Sequence, residues 1–204
     1  NGILMSACKI SVIGGGSFGT VIANITAENG HDVSFWMRSE SQAADLNRDH
    51  ENAQYLPGYS LSERLVATAD MAAAVADSQL IFVAVPSSSF RQVVRDVMKH
   101  AAADVILIST TKGIEAGSFM LMSQILMQEA PEAKVGVLSG PNLAKEIASK
   151  YLTGTVIASN HEEVREIVKN VLKSEFFRVY TNDDMFGVEL GGSLKNIYAI
   201  IAGM

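Results

Sequence analysis

The feature that most limits what this chain can become is Ile10-Ser11-Val12-Ile13 followed at once by Gly14-x-Gly16-x-x-Gly19. Four residues of near-continuous apolar character read as a strand buried on both faces. A helix-compatible stretch, Thr20 to Glu28, comes next. Each glycine has a separate task in such a junction. Gly14 turns the chain off the strand, Gly16 leaves room for a pyrophosphate at the backbone, and Gly19 lets the helix lie close to the sheet. The helix N-terminus then offers unpaired N–H groups and partial positive charge to phosphate. Glycine-rich turns without any phosphate are common, so the surrounding order of strand, loop, helix and second strand (Val33–Met37) is what makes this a dinucleotide site.

Further apolar runs recur at Leu65–Thr68, Leu80–Val85, Val105–Ser109, Lys134–Leu138, Thr155–Ala158 and Phe176–Tyr180. Amphipathic segments such as Phe90–His100, Met120–Glu129 and Glu162–Lys173 alternate with them. That rhythm predicts an α/β fold: a doubly wound, Rossmann-type, mostly parallel sheet with helices on both faces. Of the 204 residues 48% are hydrophobic and 19% charged, enough apolar surface for a full core. A net charge of −6 without a basic cluster gives no reason to expect nucleic acid as a partner. The single cysteine, Cys8, rules out a disulfide framework and fits a reducing, cytoplasmic setting. No apolar run has the length of a membrane span, and Met5 reads as a natural start. The four histidines have no metal-ligand spacing around them, and no metal site is expected.

Several polar residues fall where strands are expected to end. Arg38 follows the second strand, where an acidic residue would hold unphosphorylated ribose; a guanidinium there favours the 2′-phosphate of NADP, although Glu40 is close. The Asn52–Tyr59 stretch reads as a packed loop whose aromatics could cover a pocket. Ser87-Ser88-Ser89 reads as a hydroxyl-capped helix start. Lys112 lies past a central strand, at the ligand end of such sheets. In Ser139-Gly140-Pro141-Asn142, Gly140 permits close approach, Pro141 pre-sets a first helical turn, and Asn142 offers donor and acceptor together. Late in the chain, Gly191 and Gly192 sit inside a helix-periodic segment, four and three residues before Lys195. Glycine inside a helix costs about 1 kcal/mol relative to alanine, so the pair needs a reason. A smooth face with one amine on it would desolvate Lys195 and suit it to proton transfer; a snorkelling lysine at a packing face explains the pattern equally well.

Taken together, Gly14–Gly19, Tyr55-Leu56-Pro57-Gly58, Val83–Ser87, Lys112-Gly113-Ile114-Glu115, Ser139–Ala148 and Glu189–Asn196 closely resemble the bacterial NAD(P)-dependent glycerol-3-phosphate dehydrogenases, from Lys9 onward. The resemblance implies that Ser17, Phe18, Arg38, Lys112 and Ala144 join Gly14, Gly16 and Gly19 around NADP or NAD, with the lean toward NADP. It implies that Lys112, Gly140, Asn142, Lys195 and Asn196 face a small phosphorylated triose, with Lys195 as proton donor and acceptor and Lys112 adding charge stabilisation. It implies a dinucleotide-binding domain over 5–182 and the first part of a helical domain over 183–204. In the family that second domain supplies Asp and Arg-Asn residues to the site, so 204 residues alone would bind cofactor with little turnover. A homodimer of a longer protein is left open. Gly192-Ser193 departs mildly from the Gly-Ala of many relatives. Two alternatives share the plan: a dehydrogenase of 3-hydroxy acids or 6-phosphogluconate, and a non-catalytic NAD(P)-sensing module.

Overall fold

A computed structural model describes residues 9–203, and within them nothing is said of the side chains of 196–200. Met5, Cys8 and Met204 lie outside the described residues. The first half alternates β1 (Ile10–Ile13), α1 (Ser17–Glu28), β2 (Val33–Trp36), α2 (Glu40–Asp49), β3 (Glu51–Asn52), β4 (Leu56–Ser60), β5 (Leu65–Thr68), α3 (Met71–Val75), β6 (Leu80–Val83) and α4 (Ser87–Met98). The second half continues with β7 (Ile106–Ser109), α5 (Met122–Glu129), β8 (Lys134–Ser139), α6 (Ala144–Ala148), β9 (Thr153–Ala158), α7 (Glu162–Leu172), β10 (Phe177–Asn182) and α8 (Met185–Ala202).

Eight strands form one sheet in the order β10-β9-β8-β7-β6-β1-β2-β5. The chain starts in the middle at β1, builds outward through β2 and β5, then returns to place β6 on the other side of β1. That reversal between β1 and β6 is the switch point where open α/β sheets bind ligands. Alternate residues of each strand feed two cores. Ile10, Val12, Phe35 and Phe82 pack under α1 and α7, whereas Ile13, Ile81, Val83 and Leu107 pack under α3, α4 and α5. Ser11 is a polar exception on the second face, and its hydroxyl donates to the Ala74 carbonyl at 2.6 Å.

The last part of the sheet breaks the parallel rule. β9 runs antiparallel to β8, with Val137 opposite Ala158, and β10 runs parallel to β9. The segment joining β8 to β9, Gly140 to Leu152, therefore never leaves the carboxyl end of the parallel strands. α8 then starts at the opposite end and climbs along β8, bringing Gly192 against Ser139.

Three local expectations are corrected. Glu51–Asn52 and Leu56–Ser60 pair as a small antiparallel hairpin rather than a plain loop. Ser87 is the first residue of α4, whose N-cap is Pro86 without a side-chain cap. Pro141 pre-sets no helical turn, because α6 starts only at Ala144 behind an N-cap at Leu143.

Candidate active site

At the carboxyl ends of β1 and β6, Gly14 and Gly19 have backbone as their nearest neighbours. A Cβ on Gly14 would stand 2.3 Å from the Ala84 carbonyl oxygen, and its φ of +127° is itself a region that L side chains rarely adopt. On Gly19 it would stand 2.0 Å from the Gly14 oxygen. Gly16 differs, since nothing lies within 4 Å of a Cβ placed there. The fold thus needs Gly14 and Gly19 for its own closure, whereas the space at Gly16 faces outward to a ligand. α1 has no side-chain cap and no acidic residue in its first turn, so its N-terminal amides stay available for phosphate.

The loop is held from outside the βαβ unit. Asn52 is buried in the hairpin and donates to the Gly15 carbonyl at 3.0 Å and to Thr20 Oγ1 at 2.7 Å. Gln42 of α2 also donates to the Gly15 carbonyl, at 3.2 Å. Ser17 Oγ donates to the Tyr55 carbonyl at 2.7 Å.

Two adjoining cavities open here, and both touch Gly16, Ala84, Val85 and Pro86. One of about 560 Å³ runs over Gly14, Gly15 and Trp36 to Arg38 and Tyr55. Arg38 is exposed at its rim. The other, about 470 Å³, is lined by Ser17, Phe18, Lys112, Asn142 and Ala144 among others. A third hollow of about 530 Å³, between α1 and the hairpin, shares no lining residue with either. The pair at the switch point has the Arg38 guanidinium in one cavity and the Lys112 amine in the other.

At the amine end, Lys112 Nζ donates to the Gly140 carbonyl at 2.9 Å. Burial, and then the Lys195 ammonium beside it, push the Lys112 amine below the ordinary lysine range. The turn carrying Lys112 is braced on both flanks. Thr111 Oγ1 donates to the Val85 carbonyl at 2.7 Å, and Gly113, at φ +140°, donates its N–H to Ser193 Oγ of α8 at 3.2 Å. Glu115 receives two 2.7 Å bonds from the Arg91 guanidinium of α4, which holds its carboxyl at about 2.

Asn142 shows the most specific feature. Thr155 Oγ1 donates its single proton to the Ser139 carbonyl at 3.2 Å, so it can only accept from Asn142 Nδ2, at 2.9 Å. That fixes the amide and leaves Asn142 Oδ1 buried without a partner among the described residues. A buried acceptor left unpaired costs about 1–3 kcal/mol, which a donor on a bound ligand would recover.

The structure brings together Gly14, Gly16, Ser17, Phe18, Gly19, Lys112, Asn142 and Ala144 directly, with Gly140 as the carbonyl under Lys112. The side chain of Asn196 lies outside the described residues. Two expectations about the last helix change. Lys195 is exposed, which agrees with the snorkelling alternative and not with a partly desolvated amine. Of the two helical glycines only Gly192 is required: a Cβ there would stand 2.2 Å from Ser139 Oγ, whereas Gly191 faces open space. Asn52, Thr155, Ser193, Arg91 and Glu189 escaped the sequence reading, since each acts across 13 or more residues on an element that gives no local sign of its partner.

The sequence profile described as the NAD-dependent glycerol-3-phosphate dehydrogenase N-terminus matches residues 9–165. The chain belongs to that family. A glycerol-3-phosphate dehydrogenase (NAD(P)+) of Azotobacter vinelandii is 55% identical over 196 residues, covering 96% of this chain and 57% of its own length. The enzyme of the same name from Teredinibacter turnerae is 52% identical over 201 residues, covering 98% and 59%. A crystal structure of glycerol-3-phosphate dehydrogenase from Coxiella burnetii superposes with a TM-score of 0.89 at 35% identity, over 95% of this chain and 59% of that one. The chain spans a little under three fifths of the length of the curated relatives it matches. The glycine loop, the Lys112 turn and the Asn142 segment all fall inside the stretch matched by the family profile.

Proposed function

We propose that the protein carrying this chain reduces dihydroxyacetone phosphate to sn-glycerol 3-phosphate with NADPH or NADH, reversibly, and so supplies glycerol phosphate for phospholipid synthesis in the cytoplasm. The observation that carries this reading is the meeting of Lys112, Lys195 and the unpaired Asn142 Oδ1 beside a glycine loop whose Gly16 leaves room for phosphate. Residues 5–182 form the nucleotide-binding unit, and 183–204 begin the unit that completes the substrate site and supports a homodimer.

Bound nicotinamide would supply the hydride. The chain's own residues supply binding, orientation and a proton. Gly14, Gly16 and Gly19, with the α1 amides, hold the pyrophosphate; Arg38 takes a ribose 2′-phosphate, which is why NADP is favoured. Ser17, Phe18 and Ala144 line the neighbouring cavity. Lys195, as ammonium, donates a proton to the oxygen that develops negative charge at substrate C2. Partial desolvation and the neighbouring Lys195 both lower the proton affinity of the Lys112 amine. Lys112 adds charge stabilisation at the same oxygen. Asn142 Oδ1 accepts from a substrate hydroxyl beside Gly140, and Asn196 is assigned to the same substrate by the family resemblance.

The test is the absorbance of reduced cofactor in the full-length protein, with dihydroxyacetone phosphate added to NADPH and then to NADH. Oxidation faster with NADPH is the expected result. Cofactor binding without oxidation of either would remove the proposed reaction, and preference for NADH would remove the role of Arg38.

A further inference from the structure

Glu189 is the charged side chain that the chemistry above does not use. It is 2% exposed, on α8, and it has no basic partner among the described residues. Its carboxylate accepts the Ser123 backbone N–H at 3.0 Å and the Ser123 hydroxyl, both at the start of α5. Burial raises its carboxyl above the ordinary range, while the Ser123 bonds and the Met122 amide pull it down. α5 has reason to need it. Its N-cap is Leu121, which has no acceptor, and its first turn holds no acidic residue. Gln124 Oε1 serves only the Leu121 amide, at 2.8 Å. Glu189 thus supplies from 66 residues away the acceptor that a local cap would normally give.

A buried carboxylate is an expensive way to end a helix that a serine at position 121 could end locally. What it does in addition is fix α8. Glu189, Gly192 and Ser193 stand at i, i+3 and i+4, on one face of α8, and meet α5, Ser139 of β8 and the Gly113 amide respectively. Of these three contacts only Glu189 is a long, charged side chain held at a single depth. Lys195 lies six residues on, so any rotation of α8 about its axis moves its amine sideways; one residue of slip turns the helix by about 100°.

We propose that Glu189 is a positioning residue: by accepting the free amides of α5 it fixes the rotation of α8 and so sets Lys195 against Lys112. The inference rests on the reading of Lys195 as proton donor. The experiment compares Glu189→Gln, Glu189→Asp and Glu189→Ala in the full-length protein. Three quantities are read: kcat with dihydroxyacetone phosphate, Kd for NADPH, and the pKa of the Lys112 amine from its pH-dependent acylation followed by mass spectrometry. Glu189→Ala should lower kcat about 10- to 100-fold, the scale of a misplacement near 1 Å. Its Kd for NADPH should stay within about twofold, and its Lys112 pKa should rise to that of Lys195→Met. Glu189→Gln keeps an acceptor for the Ser123 amide and should restore both quantities. Glu189→Asp, one methylene short, should fall between them, and it carries the test if the alanine variant does not fold. Unchanged kcat and unchanged Lys112 pKa in Glu189→Ala or Glu189→Asp overturn the proposal. A shifted Lys112 amine in a protein whose Lys195→Met form still turns over would spare the positioning role and remove the proton-donor reading instead.

Discussion

The two ends of the cleft are built in different ways. The glycine-loop end is made of main chain: Gly14 and Gly19 are pressed against carbonyl oxygens, and the first amides of α1 have no side-chain cap. The amine end is made of side chains sent from the ends of β7 and β8 and from α8: Lys112 and Asn142 each bond to another segment, and Ser193 ties α8 to the turn that carries Lys112. A main-chain site tolerates almost no added atom but asks little of distant sequence. A side-chain site tolerates neighbouring change but depends on three elements arriving together.

The largest effect that would break this contrast lies at the amine end. Lys195→Met should cut turnover by about 10²- to 10⁴-fold, the usual contribution of a positioned acid, with NADPH binding near normal. Equal losses of turnover and cofactor affinity would mean that the two ends are one unit. Next comes a matched pair in the glycine loop. Gly19→Ala forces a methyl into the Gly14 carbonyl and should cost about 1–3 kcal/mol or more in denaturant unfolding, with loss of NADPH binding. Gly16→Ala should leave unfolding unchanged and weaken NADPH by about tenfold, near 1.4 kcal/mol. If both variants unfold alike, the open space at Gly16 is not reserved for a ligand. A smaller effect is expected from Arg38→Ala, which should weaken NADPH by about tenfold or more, as for a charge-assisted bond, and leave NADH unchanged.

The smallest sits in the brace behind Lys112. Glu115 is held at about 2 by Arg91, below its ordinary 4.5. A carboxyl depressed on folding stabilises the native state above its unfolded value, and that support is lost as pH falls through the folded one. The thermal midpoint of Arg91→Met should therefore lie below that of the unaltered protein at neutral pH. The gap should narrow between pH 4.5 and about 2.

The same contrast explains what could be read in advance. Strand patterning placed every strand of the large sheet, because β1 and β6, buried on both faces, must be apolar throughout, and β2, β5 and β10 alternate buried with more exposed residues. The strand–loop–helix at Gly14–Gly19 was legible because strand, glycines and helix are contiguous. The reversal of β9 was not legible, since Thr153–Ala158 has the same composition either way round. Asn52 looked like a loop residue because its partners, Gly15 and Thr20, lie 37 and 32 positions away. For Lys195 the sequence left a desolvated and a snorkelling amine equally open: two helical glycines predict a smooth face, but only tertiary packing decides that Gly192 alone is covered and that the lysine emerges into solvent.

The reversed pair β9–β10 has a consequence for how the family's chain can be lengthened or shortened. Direction of travel works here as a parity. An ordinary strand–helix unit leaves the next helix pointing the way the last one did, so whole units could be gained or lost after β9 and α8 would still climb toward the cleft. One extra antiparallel strand in the same place would invert the climb and deliver the lysine to the far end of the sheet. Insertions between β9 and α8 should therefore come in complete crossover units, and a lone added strand should mark a protein that has given up this chemistry.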